Sequence, residues 1–275
     1  MKIDILGVKV NKITQKEVIQ RVEEWLSQKG GKYYIVTPNP EFVMAAQKDE
    51  EFRDILNKAD IAIPDGVGLL WAAKFLSLKS KQKLKVFLQF IYTQLSLIFY
   101  PRYCRTVIPE RVTGSDLIWK IARLSEQKNC SIYLLGAEEG VAQKAAEKLK
   151  EKYKNLKIAE AELGMKNTEF RIENPELVNR INRRQPDILL VAFGHPKQEK
   201  WIAGNLSKLE NVKVAIGVGG AFDFIAGKAK RAPRILRKLG LEWLFRLFIE
   251  PWRAGRIFTA TWKFSWAVLR HKLRA

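Results

Sequence analysis

The chain has 275 residues, 47% hydrophobic and 28% charged, a balance that supports a sizeable core and excludes intrinsic disorder. Two cysteines, Cys104 and Cys130, are too few for a disulfide framework or a thiolate metal centre, and two histidines, His195 and His271, exclude a multi-histidine metal site. The formal net charge is +20, yet residues 79–105 and 228–275 together carry +17 of it, so the excess is local.

From the amino terminus, Lys2, Asp4 and Lys9 interrupt the apolar residues of positions 1–10, which leaves no signal-peptide core and reads as a cytosolic protein. Thr14 and Glu17 form a capping box for a helix carrying Val18, Val22 and Trp25 on one face and ending near Gly30. Tyr33 to Val36 is a predicted strand ended by Thr37-Pro38-Asn39-Pro40, and Glu41 to Gln47 a helix with proline near its first turn. Ile61 to Ile63 is a second short strand, closed by Pro64-Asp65-Gly66-Val67-Gly68 ahead of a helix over Leu69 to Leu76.

Val86 to Pro101 is the longest uncharged run, sixteen residues. A spanning helix needs roughly 20. Helical spacing gathers Lys85, Gln89, Thr93, Ser96 and Tyr100 into one polar stripe and leaves the other faces apolar. A run of lysines precedes the segment and Arg102 and Arg105 follow it, which suits a helix lying in, or re-entering, an anionic lipid surface; a core helix or a subunit contact is the alternative.

Ser131 to Leu135 is a strand, Val141 to Lys150 an amphipathic helix, and Ile188 to Phe193 and Val212 to Val218 are two more buried strands ending in glycine loops. Strands alternating with helices predict an α/β, Rossmann-like fold, a mostly parallel sheet flanked by helices. The expected organisation is a core over 1–227, with a basic apolar insertion at about 79–106, followed by a helical membrane-binding appendage over 228–275. In the appendage Phe258, Trp262 and Trp266 recur at four-residue spacing among thirteen Lys/Arg and only two acids, Glu242 and Glu250.

In such sheets the site lies at the carboxyl ends of the strands. Asp65 is placed there to take a proton from a hydroxyl, although Asp is also a favoured helix N-cap, and the pattern leaves both roles open. Thr37 and Asn39, fixed between prolines, offer a hydroxyl and an amide to sugar hydroxyls, or simply form a turn. The loop Gly217-Val218-Gly219-Gly220 brings bare amides to where a diphosphate would lie, with Asp223 beyond it, but it matches neither a P-loop nor the dinucleotide fingerprint. No Asp-x-Asp pair, a common holder of a divalent ion against a nucleotide diphosphate, occurs in the chain. A departing diphosphate would therefore rely on arginines, of which the final segment supplies Arg231, Arg234, Arg237, Arg246, Arg253 and Arg256.

Thr37-Pro38-Asn39-Pro40, Pro64 to Gly68, Glu110 to Asp116, Leu135-Gly136-Ala137, Phe193 to Glu199, Gly217 through Pro233 and Gly240 to Trp243 follow in an order that resembles the WecG/TagA/CpsF glycosyltransferases. The resemblance implies an inverting, metal-independent transferase without a cofactor. It would move a hexose such as N-acetylmannosamine from a UDP-sugar to a polyprenyl-diphosphate-linked sugar, in teichoic acid or related surface-polymer synthesis, peripheral on the inner face of the plasma membrane. By that pattern Asp65 is the general base, Thr37, Asn39, Arg111 and Gln198 line the sugar pocket, and Gly219, Gly220 and Asp223 hold UDP. Gly164 joins the donor contacts, and Arg246, Arg253 and Arg256 of the appendage reach over the site. The chain departs from the family in the long segment from Lys79 to Thr106, and in Met165 where an aromatic more often follows the glycine. The competing reading is a non-catalytic basic protein that binds membrane or nucleic acid. Nucleic acid is disfavoured because the cations flank continuous apolar surface instead of tracking a groove. Self-association of the chain is compatible with either reading.

Overall fold

Short apolar strands alternating with helices build, in the computed structural model of the chain, a six-stranded sheet in which every pair is parallel. The described residues are all except Lys29, residues 166–169, Leu239 and Ala275, and the side chains of Arg234 and Lys238 also lie outside the description. The chain opens with an antiparallel hairpin, β1 (Lys2–Ile5) and β2 (Val8–Asn11), which the sequence reading had not assigned. Helix α1 (Gln15–Ser27) starts at the expected Thr14/Glu17 capping box. Then follow β3 (Tyr33–Val36), α2 (Pro40–Ala46), α3 (Glu50–Lys58), β4 (Ile61–Ala62), α4 (Val67–Ser77), α5 (Lys83–Phe99), α6 (Pro101–Cys104) and α7 (Gly114–Lys128). The second half runs β5 (Ser131–Gly136), α8 (Val141–Lys152), β6 (Lys157–Glu162), α9 (Pro175–Arg184), β7 (Ile188–Ala192), α10 (Lys197–Asn205) and β8 (Val214–Gly217). The final helices are α11 (Ala221–Ile225), α12 (Arg234–Lys238), α13 (Glu242–Ile249), α14 (Ala254–Phe258) and α15 (Phe264–Arg274), the last two joined by a π-helical turn at Thr259–Lys263.

The strand order is β4-β3-β8-β7-β5-β6. Alternate residues point to opposite faces, so Tyr34, Val36, Tyr133 and Leu135 enter one core and Ile35, Ile132 and Leu134 the other. The hairpin and α2, α3, α4, α9, α10 and α15 cover the first face; α1, α7, α8 and α11 cover the second. β3 and β8 are neighbours, but the helix that follows β3 lies in the first layer and the helix that follows β8 in the second. Their carboxyl ends therefore open into a crevice at the point where the winding reverses.

The segment after Gly227 does not stand apart from this body. Phe264, Val268 and Leu269 of α15 are buried in the first core, and the Phe264 ring meets Trp71 of α4 edge to face at 6.3 Å. Lys272 donates to the carbonyl of Phe75 and to Gln89 Oε1, and its ammonium lies 4.1 Å over the Phe75 ring. Burial draws its pKa down to about 8.

Helix α5 is built inside out. Of the polar stripe read in the sequence, Thr93 and Ser96 are buried, accepting from Trp71 Nε1 (3.0 Å) and meeting Cys104 Sγ (3.3 Å). Leu84, Leu88, Leu95 and Phe99 are instead half to four-fifths exposed. A helix on a water-facing surface shows the opposite arrangement. No helix among the described residues is long and apolar enough to cross a membrane.

Because Phe264 fills the first core, Phe264→Ala is expected to lower the unfolding free energy by about 3–5 kcal/mol. Urea denaturation followed by tryptophan fluorescence checks this: the transition stays single and moves to lower urea, whereas an independently folded tail would leave the main transition in place.

Candidate active site

The crevice enlarges into a cavity of about 1100 Å³ floored by the carboxyl ends of the strands and roofed by the carboxy-terminal segment. Asp65 stands in it just past β4, its own N–H donating to Pro38 O (2.9 Å). The capping alternative fails for a local reason: the N-cap of α4 is Gly66, at φ +126°, and it makes no side-chain cap bond. A side chain there would carry backbone strain and meet Pro40 at 3.3 Å, so the glycine takes the cap position and the carboxylate of Asp65 is not used as a helix cap. Burial pushes the Asp65 pKa up to about 6; Arg111 and Arg246 oppose the shift, Glu242 adds to it, and a bond from the Gly114 N–H lowers it. A carboxyl poised near neutrality and facing a cavity is suited to general-base work.

Thr37, at the end of β3, is buried and donates from Oγ1 to Gly217 O (2.9 Å), fastening β3 to the start of the glycine loop. Asn39 caps α2 by accepting from Phe42 N–H at Oδ1 (3.1 Å), which leaves its amide nitrogen without a partner among the described residues. Gln198 lines the cavity but is fully buried. Its Oε1 accepts from Gly219 N–H (3.0 Å) and its Nε2 donates to Glu199 Oε1 (2.6 Å). Both ends of that amide are spent, Oε1 on the glycine loop and Nε2 on Glu199. Gly219 therefore offers no free N–H, and Gly220 is the glycine whose amide remains unpaired among the described residues. Asp223 borders the same end, its pKa raised by burial with Glu138 and Glu250 adding and Lys228 and Arg253 opposing. Gly164 does not line the cavity, although Leu163 and Met165 do. Its φ of +74° and an approach that would put a Cβ 2.4 Å from Leu135 give it a packing role.

The arginine roof is held by acids. Arg111, ahead of α7, donates from Nη1 to Glu242 Oε2 of α13 (3.0 Å). Arg253 pairs with Glu250 (2.8 Å), and Arg256 donates from Nε to Glu41 Oε2 (2.9 Å), the carboxylate that His195 Nε2 also approaches at 3.9 Å. Arg246 lies 4.8 Å over the ring of Phe224. Arg231 is taken from the cavity by a two-pronged bond to Asp116 (2.6 Å each), and Arg237 donates to Ala232 O. Burial alone would raise the Asp116 pKa, and the bonds from Arg231 and Thr113 bring it below its usual value. The side chain of Arg234 lies outside the described residues. The structure thus brings Asp65, Thr37, Asn39, Arg111, Gln198, Gly219, Gly220, Asp223, Arg246, Arg253 and Arg256 to one cavity.

Sequence reading overlooked the partners of these groups. Glu242 and Glu250 were visible as the two acids of the basic tail, but their pairing with Arg111 and Arg253 was not. Beneath Gln198, Glu199 is fully buried, with Oε2 unpaired, as are Tyr34 Oη and Trp201 Nε1. Burial raises the Glu199 pKa to about 8, against the bond from Gln198, and raises that of Tyr34 well above normal. His195 stacks on Phe42 at 4.7 Å, and burial lowers its pKa while Glu41 opposes. Among the described residues no three His, Cys, Asp or Glu side chains converge as ligands for a cation.

A family model described as "Glycosyl transferase WecG/TagA/CpsF family" matches residues 3–91 and 94–275. Among similar proteins are N-acetylglucosaminyldiphosphoundecaprenol N-acetyl-beta-D-mannosaminyltransferases of Staphylococcus aureus. Those of strains MRSA252 and NCTC 8325 are each 29% identical over 257 residues, 93% of this chain and 88% of the relative. That of strain MW2 is 28% identical over the same lengths.

Glu199 gives the fold a measurable pH signature. Its folded pKa of about 8 lies above the ordinary 4.5, so the folded state binds more protons between these values, and stability is expected to fall as pH rises across that window. Glu199→Gln keeps the acceptor for Gln198 and is expected to flatten the slope when unfolding free energy is followed against pH.

Proposed function

The chain belongs to the WecG/TagA/CpsF family of glycosyl transferases, and from that footing we propose that it moves a hexose, N-acetylmannosamine or a close relative, from a UDP-sugar to a polyprenyl-diphosphate-linked sugar. The staphylococcal relatives, named as N-acetylmannosaminyltransferases acting on an undecaprenyl-diphosphate-linked N-acetylglucosamine, support the acceptor and the sugar. Such a transfer is a step in making wall teichoic acid or a related surface polymer. The observation that carries the mechanism is Asp65, an uncapped carboxylate with a pKa of about 6 inside the arginine-roofed cavity.

In the proposed reaction an acceptor hydroxyl attacks the anomeric carbon of the donor. The new C–O bond forms as the bond to the UDP oxygen breaks, the hydroxyl proton passes to Asp65, and the electron pair leaves on the diphosphate. One displacement inverts the anomeric configuration. Charge on the leaving diphosphate is met by Arg246, Arg253 and Arg256 and by the Gly220 N–H, without a metal or other cofactor. Asn39 and Arg111 orient the sugars, while Thr37 and Gln198 act by fixing the glycine loop. The non-catalytic alternative gives this cavity no use.

A polyprenyl acceptor resides in a membrane, so the enzyme must work at one. The inverted helix α5 and the exposed Phe248, Trp252, Trp262 and Trp266 supply apolar contact, and the two basic segments supply cations for anionic headgroups. We place the protein as peripheral on the cytoplasmic face, with the insertion and the last 48 residues as the contacting parts.

Incubation with a panel of UDP-sugars and polyprenyl-diphospho-N-acetylglucosamine, with products identified by mass spectrometry, tests the reading; no product from any donor refutes it. Asp65→Asn is expected to slow transfer roughly hundred- to ten-thousand-fold while UDP affinity is preserved. The wild-type rate is expected to drop as pH falls through about 6, where Asp65 takes up a proton. Unchanged turnover in the Asn variant would remove Asp65 from the mechanism. Phe248→Glu with Trp252→Glu is expected to weaken flotation with anionic vesicles, with activity on a detergent-solubilised acceptor retained.

A further inference from the structure

One apolar arm of the cavity wall takes no part in the sugar chemistry: Phe90, Leu97 and Ile98 of α5 line it together with Trp262 and Phe264. Polar groups along this wall are paired with one another: Trp71 Nε1 donates to Thr93, and Gln94 Nε2 donates to Ser265 Oγ at 3.1 Å, joining α5 to α15. What remains to meet a ligand is hydrocarbon. Ile98 and Trp262 line the cavity and are also 45% and 72% exposed, so this part of the wall reaches the surface beside the apolar face that α5 turns outward.

We propose that this arm seats the polyisoprenoid chain of the acceptor, with its first isoprene units between α5 and the helix formed by α14 and α15 while the diphosphate and sugar reach Asp65. The proposal rests on the acceptor class given above and adds where its lipid binds. One feature selects an isoprenoid over a bilayer acyl chain: the arm belongs to the same cavity as Asp65, so a chain lying in it is best attached to the reacting sugar.

Detergent-solubilised acceptors test the idea without a bilayer. The same sugar diphosphate is offered on an undecaprenyl chain and on a methyl group, and kcat/KM is compared for the wild type, Ile98→Glu and Leu88→Glu. Leu88 is exposed but does not line the cavity. Ile98→Glu is expected to lower the undecaprenyl-to-methyl ratio about tenfold, and Leu88→Glu to leave it unchanged. A ratio that Ile98→Glu does not alter overturns the proposal. In a parallel arm, a benzophenone-bearing isoprenyl diphosphate is photo-crosslinked to the wild type and the labelled peptides are sequenced. Label on residues 83–99 or 254–274, competed by undecaprenyl phosphate and not by phosphatidylglycerol vesicles, supports the arm. Competition by phosphatidylglycerol alone would make it a bilayer contact and overturn the proposal. Label on α5 with no sugar transfer to any polyprenyl acceptor would sink the proposed function and leave the isoprenoid site standing; transfer with label elsewhere would sink the site alone.

Discussion

A carboxylate taken out of water, with one backbone N–H and no side-chain hydrogen bond among the described residues to hold it, governs how this site is organised. Asp65 sits at the end of a two-residue strand, and its burial favours the protonated form enough to bring its pKa to about 6. The charges of Arg111 and Arg246, with the bond from the Gly114 N–H, oppose that shift. Without the two guanidinium groups the carboxyl would hold its proton to higher pH, so these arginines act on Asp65 itself.

Those arginines are themselves anchored. Arg111 precedes α7, and its partner Glu242 begins α13, 131 residues later; Arg256 reaches Glu41 across 215 residues. These pairs draw the carboxy-terminal segment over the strand ends, while Phe264, Val268 and Leu269 seal its far end into the core. The roof is thus fixed at both ends, and in the proposed reaction an incoming diphosphate would compete with Glu41, Glu242 and Glu250 for guanidinium groups already in place. Such competition keeps the empty cavity from carrying a large uncompensated positive charge.

Strands β3, β5, β7 and β8 were legible because each is a β-rich apolar run closed by a glycine or proline. The sequence Lys157–Glu162 was not, because β6 is a half-exposed edge strand whose identity comes from pairing with β5. The amino-terminal hairpin escaped for a similar reason: its alternating burial makes sense only against α3 and α4, with which it packs. Asp65 could be picked out as an acid at a strand end, but whether it capped the next helix depended on Gly66, a contest that residue types alone leave open. Thr37 and Gln198 were legible as members of the rim and illegible as clamps, since their partners Gly217 and Gly219 lie 180 and 21 residues away. The long-range ion pairs of the roof were hidden for the same cause.

The direction in which α5 faces follows from its own composition once Trp71 is considered. Trp71 is buried beneath it and needs an acceptor for its indole N–H, which Thr93 supplies. That bond, with the Ser96 to Cys104 contact and the Lys272 to Gln89 bond, fixes the rotation of the helix so that Gln89, Thr93 and Ser96 find their partners on its inner side. Val86, Phe90 and Leu97 pack inward, and Leu84, Phe87, Leu88, Ile91, Leu95 and Phe99 are left facing outward. In water such a face would be a liability to solubility, since isolated proteins rarely expose long apolar stretches. Basic residues at both ends of the helix and throughout the carboxy-terminal segment would suit the same face to the anionic bilayer proposed above, where hydrocarbon is the solvent and the cations meet headgroups. The buried polar stripe and the exposed apolar one are therefore two consequences of a single rotation, and that rotation also brings Phe90, Leu97 and Ile98 to the cavity wall.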